Sequence, residues 1–321
     1  MSRALVCAIA LLTGACAASN VRTSPVVATY RAVDLMPDFW EFWSAAEKLP
    51  ADEQAKLFEK TLVVKHPEVY KASVLGLDEA KPFGETLARR FERWLPMMTP
   101  HVPTMRVLSK RIAIDLPRYE STFRKAFPDF AYDGEVYFLN SLGAFDGGTR
   151  TVKGRTALLF GVDMIAYVYG ETDPQAFFHH ELFHIHHSRI FPNEGATPLW
   201  EKLWQEGLAE HVAKTLNPAA DGVLLFGLPA DMPERARRIL PELARELSES
   251  LDDTSKETYA RYFLGSTAQG ERPPRSGYYV GYLVARHVAG DRPLREVAVM
   301  KGPKLRAAIA NALEEIVLTP P

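Results

Sequence analysis

The chain predicts an α+β fold that is predominantly helical, with one small sheet in its middle third. Three observations carry this. Only two segments, residues 135–139 and 156–162, are short, apolar, β-prone runs. Most of the rest shows apolar residues at helical spacing, interrupted by loops. Proline, Asp and Asn punctuate those helical segments at the places where helices start and stop. At 321 residues and 47% hydrophobic content the chain can bury one large core or two closely packed ones. A formal net charge of −2, with no basic patch, gives no reason to expect a nucleic-acid partner.

Residues 1–15 read as a secretory signal, with Arg3, an apolar run over residues 4–12, and small residues up to Ala15. That run is too short to span a bilayer. Leu12-Thr13-Gly14-Ala15-Cys16 resembles a bacterial lipobox, which implies cleavage before Cys16 and a lipid attached to it. Ala17 after that cysteine, by the same resemblance, implies the outer membrane, facing the periplasm. A plain signal and a soluble periplasmic protein is the alternative. Cys7 leaves with the signal and Cys16 would carry lipid, so the mature part has no disulfide.

Residues 16–30 then form the lipidated cysteine and its tether, and residues 31–128 a helical N-terminal region. Helices are expected over residues 38–48, 50–65, 83–95 and 116–127. The aromatics Phe39, Trp40, Phe42 and Trp43 suit a core better than a ligand site. Residues 129–321 form a second region, which begins with the two β-prone runs. Between them lies a glycine-rich stretch, residues 141–149, that includes Gly143, Ala144 and Phe145. Further helices follow at 175–187, between Thr197-Pro198 and Asn217-Pro218, over 231–251 with a break at Pro241, around Tyr278, and over 294–300 and 304–316.

The chemistry concentrates in the helix over residues 175–187. Asp173 as N-cap and Pro174 in the first turn announce its start. It carries His180-Glu181-Leu182-Phe183-His184, an H-E-x-x-H sequence. Two His four residues apart project from one helix face and can share a metal ion. Two neutral imidazoles and one carboxylate leave zinc an open position for water, and Glu181 is placed to take a proton from that water. The plain alternative is a core helix with two satisfied histidines.

A third ligand is available on the next helix. Glu206 and Glu210 border the apolar side marked by Leu199 and Leu203, where a carboxylate is costly unless a metal or hydrogen bond satisfies it. Glu206 is the expected third ligand. Glu210 is expected to orient one of the imidazoles, or else to be a solvated helix residue. Gly207 in mid-helix suggests that another backbone or the metal site passes close by. His179, His186, His187 and His211 fit packing or surface roles better than ligand roles.

H-E-x-x-H followed by a helix with Glu206-Gly207-Leu208-Ala209 resembles the gluzincins, and more narrowly a bacterial group of predicted zinc-dependent proteases. Trp200 to Ala209, as a slightly shifted W-…-E-G-L-A, and Gly277-Tyr278-Tyr279-Val280-Gly281-Tyr282 complete the likeness. Gluzincins often have Asp four residues after the third ligand, where this chain has Glu210. The resemblance implies a zincin-like fold, with an edge strand beside the H-E-x-x-H helix along which an extended peptide pairs. Residues 143–149, with Gly143, Ala144 and Phe145 at their head, are the candidates for that strand or its lip, a glycine-rich hairpin loop being the alternative. It further implies one Zn2+ per chain and a peptide or protein substrate. A donor for the developing oxyanion is also needed; Tyr278 is the first choice, simple packing of its ring the alternative. The expected function is peptide-bond hydrolysis in the bacterial cell envelope; a non-catalytic zinc- or peptide-binding lipoprotein is the alternative.

Overall fold

Four short strands make the sheet in the order β1-β2-β4-β3, in a computed structural model that describes residues 30–192, 196–265 and 272–319. They are β1 (Arg31–Asp34), β2 (Glu135–Leu139), β3 (Thr149–Val152) and β4 (Arg155–Gly161). β1 runs parallel to β2, and β2 to β4, while β3 returns antiparallel along β4. Val136 to Leu139 and Ala157 to Gly161 are buried without alternation, as strands covered on both faces must be. Phe138 stacks on Phe160 across the parallel pair, ring centroids 5.7 Å apart. Nothing in the residue pattern announces β1. It is a four-residue, largely exposed edge strand that takes its register from Glu135 to Phe138.

The first helices are α1 (Met36–Ala46), α2 (Ala51–Phe58), which runs on through a π-turn over Glu59–Val63, and the single turn α3 (Ala72–Leu75). Then come α4 (Phe83–Met98) and α5 (Val102–Ala126), joined by one 3-10 turn. Phe39, Phe42 and Trp43 are core residues; Phe42 meets Phe58 edge-on at 5.2 Å and Trp43 meets Trp94 edge-on at 6.0 Å. Helix α5 is 25 residues long, twice the expected segment, and contains Pro117. Its buried stripe of Met105, Leu108, Ile112, Leu116, Tyr119 and Phe123 keeps helical spacing through the proline. The proline reads locally as a helix start, but continuous packing overrides that signal.

After β4 the chain is helical: α6 (Val162–Tyr169), α7 (Gln175–His187), α8 (Leu199–Leu216), α9 (Gly222–Phe226), α10 (Met232–Arg238) and α11 (Leu240–Glu249). The end is α12 (Lys256–Phe263), α13 (Ser276–Ala289), α14 (Leu294–Ala298) and α15 (Gly302–Leu318). The expected break at Pro241 falls at Ile239, which leaves Pro241 in the first turn of α11, where its missing N–H costs nothing. Helix α8 packs on α7 and α13, and these three bring the functional side chains together. No described helix is long and apolar enough to cross a membrane.

One local expectation is corrected. Asp173 does not cap α7; its carboxylate accepts from the Tyr119 hydroxyl at 2.6 Å and from Arg118 at 2.9 Å, tying the start of α7 to α5. Charge-assisted bonds to a neighbouring helix outcompete a bond to its own backbone.

Candidate metal centre

Helix α7 is buried on nearly every side because each face has a partner. Phe178 packs on Phe160 of β4 at 4.4 Å, and Phe177 on Tyr169 of α6 at 5.2 Å. His179 donates from Nε2 to the Tyr119 carbonyl at 3.0 Å and accepts at Nδ1 from the Asn217 amide at 2.8 Å. These two bonds fix one neutral tautomer, and burial pulls the ring down to about 4. His186 packs on Phe127 and His187 on Phe183, each at 4.8 Å. His211 faces Tyr282, ring centroids 6.4 Å apart.

His180 and His184 occupy the remaining face, which looks at α8. Their Nε2 atoms are 2.9 Å apart, and Oε2 of Glu206 is 3.5 Å from the first and 3.2 Å from the second. Among the described residues these three form the one His/Cys/Asp/Glu group whose donor atoms lie within 4.8 Å of one another. Two nitrogens bound to one tetrahedral zinc stand about 3.3 Å apart, so this convergence fits that ion. The donor chemistry fits as well. Burial pushes the Glu206 carboxyl up, yet the charges and hydrogen bonds of His184 and His180 outweigh it and hold the group well below the usual carboxylate range. Burial likewise opposes charge on His180, and Glu210 and Glu206 reverse the sign and raise it. A dication placed here satisfies the same carboxylates without protonating either imidazole.

Glu210 is 2% exposed, so it is no solvated surface residue. Its Oε1 is 3.4 Å from Nδ1 of His180, while Oε2 has no hydrogen-bond partner among the described residues. Glu181, 8% exposed, lies beside the ligands; burial raises its pKa, His180 and His184 lower it, and Asp146 raises it again.

Helix α13 closes the site. Gly207 of α8 and Gly281 of α13 cross backbone to backbone: a Cβ on Gly207 would stand 2.2 Å from the carbonyl carbon and oxygen of Gly281. That close approach is what the mid-helix glycine provides. It sets Tyr278 with its ring centroid 6.4 Å from that of His180. Burial and Glu206 raise the Tyr278 hydroxyl well above its ordinary value. The Arg275 guanidinium lies 4.4 Å over the same ring, on a residue with a left-handed backbone (φ 61). Tyr282, one turn on, faces His211 and Phe226 instead.

Gly143, Ala144 and Phe145 do not lie in a strand. Leu142 and Gly143 both have positive φ (53 and 74) and form a tight turn; the edge strand β3 starts at Thr149. What reaches the centre is Gly147, where a Cβ would come within 3.1 Å of the Glu181 carboxyl carbon and 2.6 Å of Phe177. Cys16 lies outside the described residues.

Several site residues had no signal in the sequence. Arg150 on β3 lies close enough to Glu181 and Asp146 to feel their charge, and Tyr259 on the unanticipated α12 is pushed up to about 12 by burial and by Glu206. Asp146 falls inside the glycine-rich stretch expected to form the strand or its lip, and its charge acts on Glu181.

Residues 162–304 match the model of a family described as predicted Zn-dependent protease (DUF2268). The matched segment runs from α6 into α15 and contains both metal-site helices and Tyr278. Together with the His-His-Glu group it supports a zinc-protease assignment for this chain. No curated protein and no solved structure matches.

Proposed function

We propose that this protein is a zinc metallopeptidase of gluzincin type, hydrolysing peptide bonds in the bacterial cell envelope. The observation that carries the reading is the convergence of His180, His184 and Glu206 from two packed helices, with Glu181 buried alongside. His180, His184 and Glu206 hold one Zn2+ per chain. When bound, the ion supplies Lewis acidity, polarising a carbonyl and acidifying a water. Glu210 fixes the ring of His180 from Nδ1 and so leaves Nε2 turned to the centre.

Glu181 takes the proton of the attacking water and returns it to the leaving amine. Its burial beside the ligands raises its proton affinity, which suits a group that must accept a proton and then release it. Tyr278 keeps its proton over the whole neutral range and donates to the oxyanion. An extended peptide lies along β3 by strand addition, and the stretch around Gly147 forms the lip over Glu181. Cleavage before Cys16 and a lipid on it hold the catalytic region at the outer membrane on the periplasmic side.

The test is zinc content of the chain lacking residues 1–19, beside its Glu206→Ala and Glu181→Gln variants, with a peptide-library digest of each. Expected are one zinc in the parent, loss or strong weakening in Glu206→Ala, and full zinc with at least a hundredfold slower cleavage in Glu181→Gln. A chelator abolishes cleavage and added zinc restores it. A metal-free parent overturns the assignment. A zinc-loaded parent that cleaves nothing leaves a non-catalytic zinc-binding protein.

A further inference from the structure

Asp163 is the second residue of α6 and is wholly buried, and its hydrogen-bond partners among the described residues are Trp94, Ser141 and Gly143, none of them a metal ligand. Its Oδ1 accepts from the Ser141 backbone N–H at 2.7 Å. Its Oδ2 accepts from the Gly143 N–H at 2.7 Å, from Trp94 Nε1 at 3.1 Å and from the Ser141 hydroxyl at 3.2 Å. A buried carboxylate needs such donors, but these are unusual in where they sit. Three of the four belong to the turn that leads into the lip of the cleft.

That turn is strained, with consecutive left-handed residues at Leu142 and Gly143, and a non-glycine residue keeps such a conformation only when its surroundings over-determine it. The surroundings do so here. Arg90 reaches the Leu142 carbonyl at 3.3 Å, and the Phe145 N–H donates to the Ser141 hydroxyl oxygen at 3.3 Å. Beyond Phe145 the chain is stitched to β4: Gly161 N–H donates to the Asp146 carbonyl at 2.8 Å, and Leu159 N–H to that of Gly148 at 3.0 Å. Gly147 is carried between those last two bonds and laid against Glu181 without room for a methyl group. Asp163 thus fixes one end of a short, fully determined path whose other end bounds the carboxylate that we read as the general base.

We propose that Asp163 is a positioning residue for catalysis: by latching Ser141 and Gly143 it sets where Gly147 confines Glu181 and where β3 begins along the cleft. The inference rests on the peptidase reading of the site. Asp163→Asn keeps size and one acceptor but turns an N–H2 toward donors that now lack a partner. The turn is released, while the zinc ligands, which lie on α7 and α8, stay in place.

The experiment compares the parent, Asp163→Asn, Gly147→Ala and the double variant, each zinc-loaded, for zinc content, kcat and KM on one peptide. Amide exchange is read over residues 141–149 and over α7. Expected for Asp163→Asn are full zinc, faster exchange confined to 141–149, and kcat lower by about tenfold or more with KM changed less than about threefold. The double variant is expected to be no slower than the worse single one, because both act on the same contact. Ser141→Ala, which removes one donor only, gives a smaller loss in the same direction if Asp163→Asn does not fold. Multiplied losses in the double variant, unchanged kcat, or zinc loss in Asp163→Asn each overturn the proposal. A parent without peptidase activity fails the functional reading instead. Exchange that rises across α7 as much as in the turn shows Asp163 to be a general core residue and overturns the positioning role by itself.

Discussion

Replacing Gly207 with alanine tests the geometry that joins the two halves of the site. The new methyl carbon would sit 2.2 Å from the Gly281 carbonyl, where ordinary contact begins at 3.4 Å. The helices must therefore separate by about 3.4 − 2.2 = 1.2 Å, or the backbone must bend. Overpacking of this kind costs about 1–3 kcal/mol or more, and backbone atoms cannot swing aside as a side-chain tip can. Alanine gives back about 1 kcal/mol of helix propensity. With rigid backbone on both sides the cost lies at the upper end, about 3 kcal/mol. A net loss of about 2 kcal/mol is therefore expected, which lowers the melting temperature by roughly 5 °C in a chain of this size. Zinc affinity falls too, by about tenfold or more, because Glu206 is the adjacent residue and Tyr278 is carried by the helix that is displaced. Gly84→Ala is the control. Its methyl meets only the carboxylate tip of Glu59 at 3.3 Å, in the first turn of α4, and the change is neutral or stabilising by up to about 1 kcal/mol. Thermal unfolding and a competition titration against a chromogenic chelator read both effects. A Gly207→Ala protein that melts at or above the parent and holds zinc equally well refutes the close-crossing argument.

Two further outcomes follow from the site and its surroundings. Glu210→Gln keeps the shape but removes the charge beside His180 Nδ1, and zinc affinity drops by about tenfold, measured by the same titration. Stability is also acid-sensitive through His187, whose burial, with the charges of His184 and His186, lowers it to about 3. Because the folded value lies below the unfolded one, the unfolded chain binds the extra proton, and stability falls as pH drops from about 6.5 toward 3, by about 1.4 kcal/mol per unit. His187→Phe, stacked between Phe183 and Phe191, flattens that part of the slope. Urea midpoints of the metal-free parent and variant at pH 7 and pH 4.5 check it; parallel losses in the two proteins sink the assignment.

The metal group was legible in the sequence because its constraints are local. Two imidazoles at helical spacing, and carboxylates on the apolar side of the next helix, can be read from residue intervals alone. The β-prone runs at 135–139 and 156–162 were legible for the same reason. What stayed hidden depends on partners far along the chain. Asp163 is 22 residues from Ser141 and 69 from Trp94, and no periodicity records such bonds. Tyr259 sits on α12, where Tyr259, Tyr262 and Phe263 keep helical spacing but only eight residues carry it, too few to stand out in the sequence. Pro117 misled because a proline that reads as a start locally is overruled by packing along the whole of α5. Asp173 misled because a residue that could cap its own helix found better partners on another.

β1 pairs with β2 across a gap of 104 residues, from Arg31 to Glu135. Chain synthesis at about 5–20 residues per second therefore leaves this strand waiting for at least several seconds before its neighbour exists. Local contacts among α1 to α5 can form during that interval, whereas the sheet cannot, and non-local pairing of this kind is slow to nucleate. The order of assembly is thus written into the topology: helices first, then closure of the sheet around a strand made almost at the beginning.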